Sequence, residues 1–308
     1  MKYKEFKENL QKQIQSEYTE ADIYTEIVGR NNGISKERLV IRDKGEHIVP
    51  CIYLRELYQC YEETGDMKLC VQMVKQLAER RKEIPVCNIP KIWEECQGRI
   101  LLRLVCREWN RGYLETVPYK EFLNLAVTFH LLLKKTEDVV YSMPVTNEIM
   151  AIWGTSEDEL FQAGMEHLHE HSHFEVSGID KFISQFMGQE PRADLKKEKT
   201  DLEEKKKLYQ FLLHNMYVLS AVPYCFGSIG MLATQELKAF ANQAGGFYIL
   251  PSSVHELIIF PEFIGVSMDY LKSIVQRINQ SDLLPEERLS DSVYYFNPES
   301  GEVELVGN

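Results

Sequence analysis

Residues 247–261 read FYILPSSVHELIIFP, two strongly apolar runs joined by a short polar stretch. The apolar runs ask for two strands in a core, and the residues between them leave room only for a turn. The stretch also holds Ser252, Ser253, His255 and Glu256, the residue set of hydrolytic catalysis. A strand beginning near Ser253 would put Ser253 and His255 on one face with Leu257 and Ile259, and Glu256 on the other. A serine–histidine–acid relay would then need its acid from a distant segment, because neighbours on one strand rarely converge in that way. No G-x-S-x-G elbow is present to raise a nucleophile above a sheet. The competing reading is structural. Pro251 fixes φ, the hydroxyls bond nearby backbone, and Ser253 with Glu256 forms an S-x-x-E reciprocal cap, leaving His255 to donate to a carbonyl across the sheet. We weigh the turn above the catalytic cluster.

The chain of 308 residues is long for one core, which favours several lobes. Its hydrophobic fraction of 44% is that of a folded globular protein. A formal charge of −12 opposes binding to nucleic acid or anionic lipid, unless basic residues are gathered locally. The one basic cluster, RADLKKEKTDLEEKKKLY at 192–209, alternates lysines with acids and reads as a solvated helix or connector. The amphipathic start has no secretory pattern, and the longest apolar run, LNLAVTFHLLL, is broken by Asn124, Thr128 and His130. A cytoplasmic protein is expected. Seven cysteines, none in a C-x-x-C pair, read as reduced thiols rather than a metal or disulfide framework.

Helical and strand periods alternate along the chain. Tyr3, Phe6, Leu10 and Ile14 mark an opening helix, and an Asn-Gly turn joins two strands within 21–43. LRELYQCYEETGDMKLCVQMVKQL (54–77) and VTNEIMAIWGTSEDELFQAGMEHL (145–168) share one layout of short helix, Gly/Thr break and second helix. RILLRLVC and LNLAVTFHLLL precede the second copy as strands. A strand, a helix ended by Gly245-Gly246, the 247–261 pair, another helix and a hairpin around Asn-Pro-Glu-Ser-Gly complete the chain. The expected fold is therefore α+β, with largely antiparallel sheets and flanking helices. It comprises two similar strand-strand-helix-helix units at 1–90 and 91–190, a charged connector or helix at 191–210, and an α+β lobe at 211–308.

Three segments, 145–168, GGFYILPSSVHELIIFP and LSDSVYYFNPESGEV, resemble the signature segments of an uncharacterised Clostridia family, DUF5688-like, and more distantly a second family from bacilli. The resemblance runs from the opening helix to the final hairpin and is weakest through 169–210. It implies a bacterial cytoplasmic protein with an α+β fold, and it carries over no catalytic or binding residue.

Two other features invite chemistry. EHLHEHSHF offers His167, His169, His171 and His173, and on a helix His167/His171 and His169/His173 form i, i+4 pairs able to grip a divalent ion. The two pairs lie about 160° apart on such a helix, so all four cannot share one ion. GSIG at 227–230 lacks phosphate-loop spacing and reads as a strand-to-helix turn. The expectation is a non-catalytic protein that binds a protein or small-molecule partner and needs no cofactor. The alternative is a hydrolase using Ser253 and His255 in a cleft between lobes.

Overall fold

The computed structural model describes residues 1–43, 52–80, 90–136, 140–179, 181, 215–222, 226–281 and 283–307. The charged connector and Cys51, Cys87 and Cys225 lie outside the described residues. The fold is α+β, and every strand pairing among the described residues is antiparallel. No helix among the described residues is long and apolar enough to cross a membrane. The chain divides into two compact units, Met1–Pro90 and Lys91–Asn308.

In the first unit, α1 (Tyr3–Glu17) buries Phe6, Leu10 and Ile14 on one face, as their spacing requires. Strands β1 (Asp22–Gly29) and β2 (Ser35–Arg42) form a hairpin through Asn31–Gly33, where Asn32 (φ 62°) and Gly33 (φ 68°) take the left-handed conformation. A short β3 (Ile52–Tyr53) adds to β2. Gly65, at φ 68°, stops α2 (Leu54–Thr64), and Asp66 begins α3 (Met67–Arg80) by accepting the Lys68 N–H at 2.8 Å. The three helices and the sheet close one core around Phe6, Leu39, Ile41, Leu57 and Val74.

The second unit holds two sheets. In the smaller, β6 (Leu125–Lys135) pairs along one side with β4 (Ile100–Cys106), and along the other first with β5 (Tyr119–Phe122) and then with β7 (Val140–Pro144). A four-residue helix, α4 (Arg111–Leu114), precedes β5. Within segment 91–190, α4, β5 and β7 add elements to the expected strand-strand-helix-helix order. Thr146 caps α5 (Asn147–Trp153). Ser156 and Glu159 make a reciprocal cap on α6 (Glu157–His171), which lies on the small sheet. Gly164 makes that contact close, because a Cβ there would collide with the Leu102 side chain.

The larger sheet has the order β13-β12-β10-β11-β9-β8, built from β8 (His173–Gly178), β9 (Tyr217–Val222), β10 (Phe247–Pro251), β11 (Glu256–Pro261), β12 (Val293–Asn297) and β13 (Glu302–Gly307). Leu257 and Ile259 join a core with α7 (Thr234–Ala244), while Ile258 and Phe260 face α8 (Met268–Ser281). Burial on both faces explains why β11 reads as an unbroken apolar run. One hydrophobic cluster runs from Cys96 through Leu160 to Phe296, so segments 91–190 and 211–308 share a core.

Replacing Phe6 by Ala in the first core is expected to cost about 3–5 kcal/mol in urea unfolding. His130 supplies a pH test. It is 8% exposed, and burial together with Arg103 nearby holds its imidazole well below the ordinary value of 6.5. As pH falls from about 6.5 the unfolded chain takes a proton that the folded chain refuses, so stability must fall. His130→Gln should flatten that acid limb in urea titrations repeated across pH.

Candidate functional site

The polar turn between β10 and β11 is built almost wholly by its own residues. Ser253, 2% exposed, donates its hydroxyl to Glu256 Oε2 at 2.7 Å and accepts the His255 and Glu256 N–H groups at 2.9 and 3.1 Å. Its own N–H donates to the Glu256 carbonyl at 3.2 Å, and Ser252 Oγ donates to that same carbonyl at 2.7 Å. Half of the expected reciprocal S-x-x-E cap is present: Ser253 Oγ accepts the Glu256 N–H, but the Glu256 carboxylate takes the Ser253 hydroxyl in place of its N–H, and the turn delays the strand. β11 starts at Glu256 rather than near Ser253, so Ser253 and His255 do not share a strand face.

His255 has a different partner from the one expected. Its Nδ1 accepts the Phe226 N–H at 3.3 Å, where donation to a carbonyl across the sheet had been anticipated. Phe226 stands at φ 55°, a left-handed conformation uncommon for a large side chain, at the head of the 3-10 stretch Gly227–Leu232. The ring of Phe226 lies 5.2 Å from that of His255 and 3.4 Å from the Arg103 guanidinium carbon. Gly227 allows the approach, since a Cβ there would strike the His255 carbonyl and Ala221 N. His255 thus works on backbone, and through Phe226 it shapes the surroundings of Arg103.

Arg103 lines a pocket of about 80 Å³, partly open to solvent, at the outer edge of β4. Leu101, Leu102, Leu168, Phe226 and Ile229 supply apolar wall. Arg103, Lys135, His167 and His171 supply cationic or protonatable groups, and no acid is among the described lining residues. Arg103 Nη2 also donates to Ser142 Oγ at 2.5 Å. Reading the sequence alone missed this site, because its walls come from residues far apart in the chain and Arg103 sits in an ordinary strand pattern.

Two of the four histidines meet in this pocket. α6 carries His167 and His171 on one face, with ring centroids 4.8 Å apart, and Nδ1 of His167 lies 3.1 Å from the Gly98 carbonyl. A carbonyl only accepts, so Nδ1 carries the proton and Nε2 is left without one in the neutral ring. Burial, with His171 and Lys135 nearby, holds the His167 imidazole below its usual range. The second i, i+4 pair does not form: α6 ends at His171 and His173 lies on β8. No group of three or more metal-ligating side chains occurs among the described residues. Cys60, Cys70, Cys96 and Cys106 are free thiols, and Trp93 and Trp153 pack together at 6.1 Å.

Fold and site together define an α+β protein with a small basic pocket set against an apolar wall. The chain belongs to a family of unknown function, DUF5688, whose model matches residues 3–298. No curated protein and no solved structure matches it.

Ser253→Ala removes a hydroxyl that holds three partners in a buried turn, and should cost about 1–3 kcal/mol in urea unfolding. His255→Ala should cost less, about 0.5–1.5 kcal/mol, and should shift the amide resonances of 226–230 in NMR spectra.

Proposed function

We propose that the protein is a non-catalytic cytoplasmic protein of bacteria that acts by holding a small ligand in the pocket beside Arg103. The observation that carries this reading is the gathering of Arg103, Lys135, His167 and His171 around one concavity in a chain of net charge −12. Small-molecule sites combine apolar walls with a few convergent polar groups, and this pocket has both. A small ligand fits the concavity better than a protein partner, and the acidic surface disfavours nucleic acid. Clostridial origin and a distant kinship with a bacillar family belong to the same reading and rest on the three resembling segments.

The hydrolase alternative has less behind it. A nucleophilic serine needs its proton taken by a base, and Ser253 directs that proton to Glu256 within its own turn, while His255 spends Nδ1 on the Phe226 N–H. A fluorophosphonate probe separates the two readings. The binding reading expects no adduct on Ser253 by mass spectrometry, and stoichiometric labelling would reinstate the hydrolase. A fragment library screened by protein-observed NMR tests the pocket itself: the shifts should cluster on Leu102, Leu168 and Ile229, and hits confined to other surfaces would overturn the proposal.

A further inference from the structure

We infer that the pocket takes a small organic carboxylate with a short apolar tail, and that binding draws a proton onto His167 Nε2. The inference rests on the ligand-binding reading above and names the ligand class. Three features carry it.

The first is charge. Four side chains that are cationic or can become so line the pocket, and among the described residues none that lines it is acidic. A neutral or cationic ligand would leave these groups facing one another across a confined space. An anion relieves that repulsion, and a guanidinium matches a carboxylate in shape as well as in sign.

The second is the apolar wall. Leu101, Leu102, Leu168, Phe226 and Ile229 offer nothing to a fully hydrated anion such as inorganic phosphate, but they suit a short hydrocarbon chain. The volume of about 80 Å³ holds several water-sized groups, each of which takes roughly 10–15 Å³. The ligand is therefore a few heavy atoms in size.

The third is the tautomer of His167. With Nδ1–H given to the Gly98 carbonyl, the neutral ring presents a lone pair at Nε2, and a lone pair repels a carboxylate. Protonation at Nε2 turns that atom into a donor. The groups acting on this ring are His171 and Glu170 from α6, Lys135 from β6 and the Gly98 carbonyl; Arg103 on β4 lines the same pocket. Among these, only Glu170 opposes the cationic field, and it also lies 3.6 Å from His171 Nε2. A carboxylate entering the pocket supplies the missing negative charge, and the proton follows from solvent. No covalent bond forms or breaks.

The experiment uses the full chain and three probes, namely butyrate, its uncharged isostere butyramide, and inorganic phosphate. Isothermal titration calorimetry should show butyrate binding at least tenfold tighter than butyramide and phosphate. Titrations in buffers of differing ionisation enthalpy should report uptake of a proton. The affinity for butyrate should rise by up to about tenfold for each pH unit lowered toward the range where His167 titrates. Lys135→Gln should weaken butyrate binding at least threefold, and His167→Gln should remove the pH dependence. Equal binding of butyramide, or phosphate binding tighter than butyrate, overturns the carboxylate class. Binding of butyrate without proton uptake overturns the role of His167, and these wild-type measurements stand whether or not a variant folds. Fragment hits in the pocket together with silence from butyrate would sink this inference while leaving the proposed function intact.

Discussion

Burial of β10 and β11 on both faces is the constraint from which the second unit follows. Leu257 and Ile259 face one core, Ile258 and Phe260 the other, so the turn joining these strands buries Ser253 and Val254, where water cannot complete the hydrogen bonds. The turn must therefore satisfy itself. Ser252, Ser253 and Glu256 do this with side chains that would look catalytic on an open surface, and the same economy explains why Ser253 is almost fully enclosed. A polar cluster in a dry place answers first to the backbone around it.

From that turn a chain of contacts leads to the pocket. His255 accepts the Phe226 N–H, Phe226 holds its unusual backbone conformation and lays its ring against the Arg103 guanidinium, and Arg103 faces the cavity. The residues that suggest hydrolysis in the sequence thus contribute at a distance, as supports for a neighbouring wall. Electrostatics does the rest. In an acidic chain, a small concentration of positive charge facing a low-dielectric wall creates a local field of the opposite sign.

Much of the fold was legible because its signals are local. The spacing of Phe6, Leu10 and Ile14 gave α1, Asp66 and Thr146 marked helix starts, and Gly245 marked a helix end. What escaped depends on context. β5 and β7 are short strands recruited by the long β6, which pairs with each along a different part of its length. The 3-10 stretch Gly227–Leu232 takes in Met231 and Leu232, so α7 begins only at Thr234. The histidine run divides because α6 stops at His171, a boundary that no cap residue announces. Of the site, the sequence offered His167 and His171 as a pair, but neither Arg103 nor Phe226, since no spacing rule connects residues more than a hundred positions apart.

One small residue decides how firmly those imidazoles are held. Gly164 lets α6 rest directly on Leu102, and His167 and His171 ride on the next turns of that helix. The His167 imidazole, tied through Nδ1 to the Gly98 carbonyl, therefore has little conformational freedom left to lose. Any side chain at 164 would meet Leu102 and act as a wedge under a lever, lifting the far end of the helix away from Arg103 and opening the pocket without touching a single polar group.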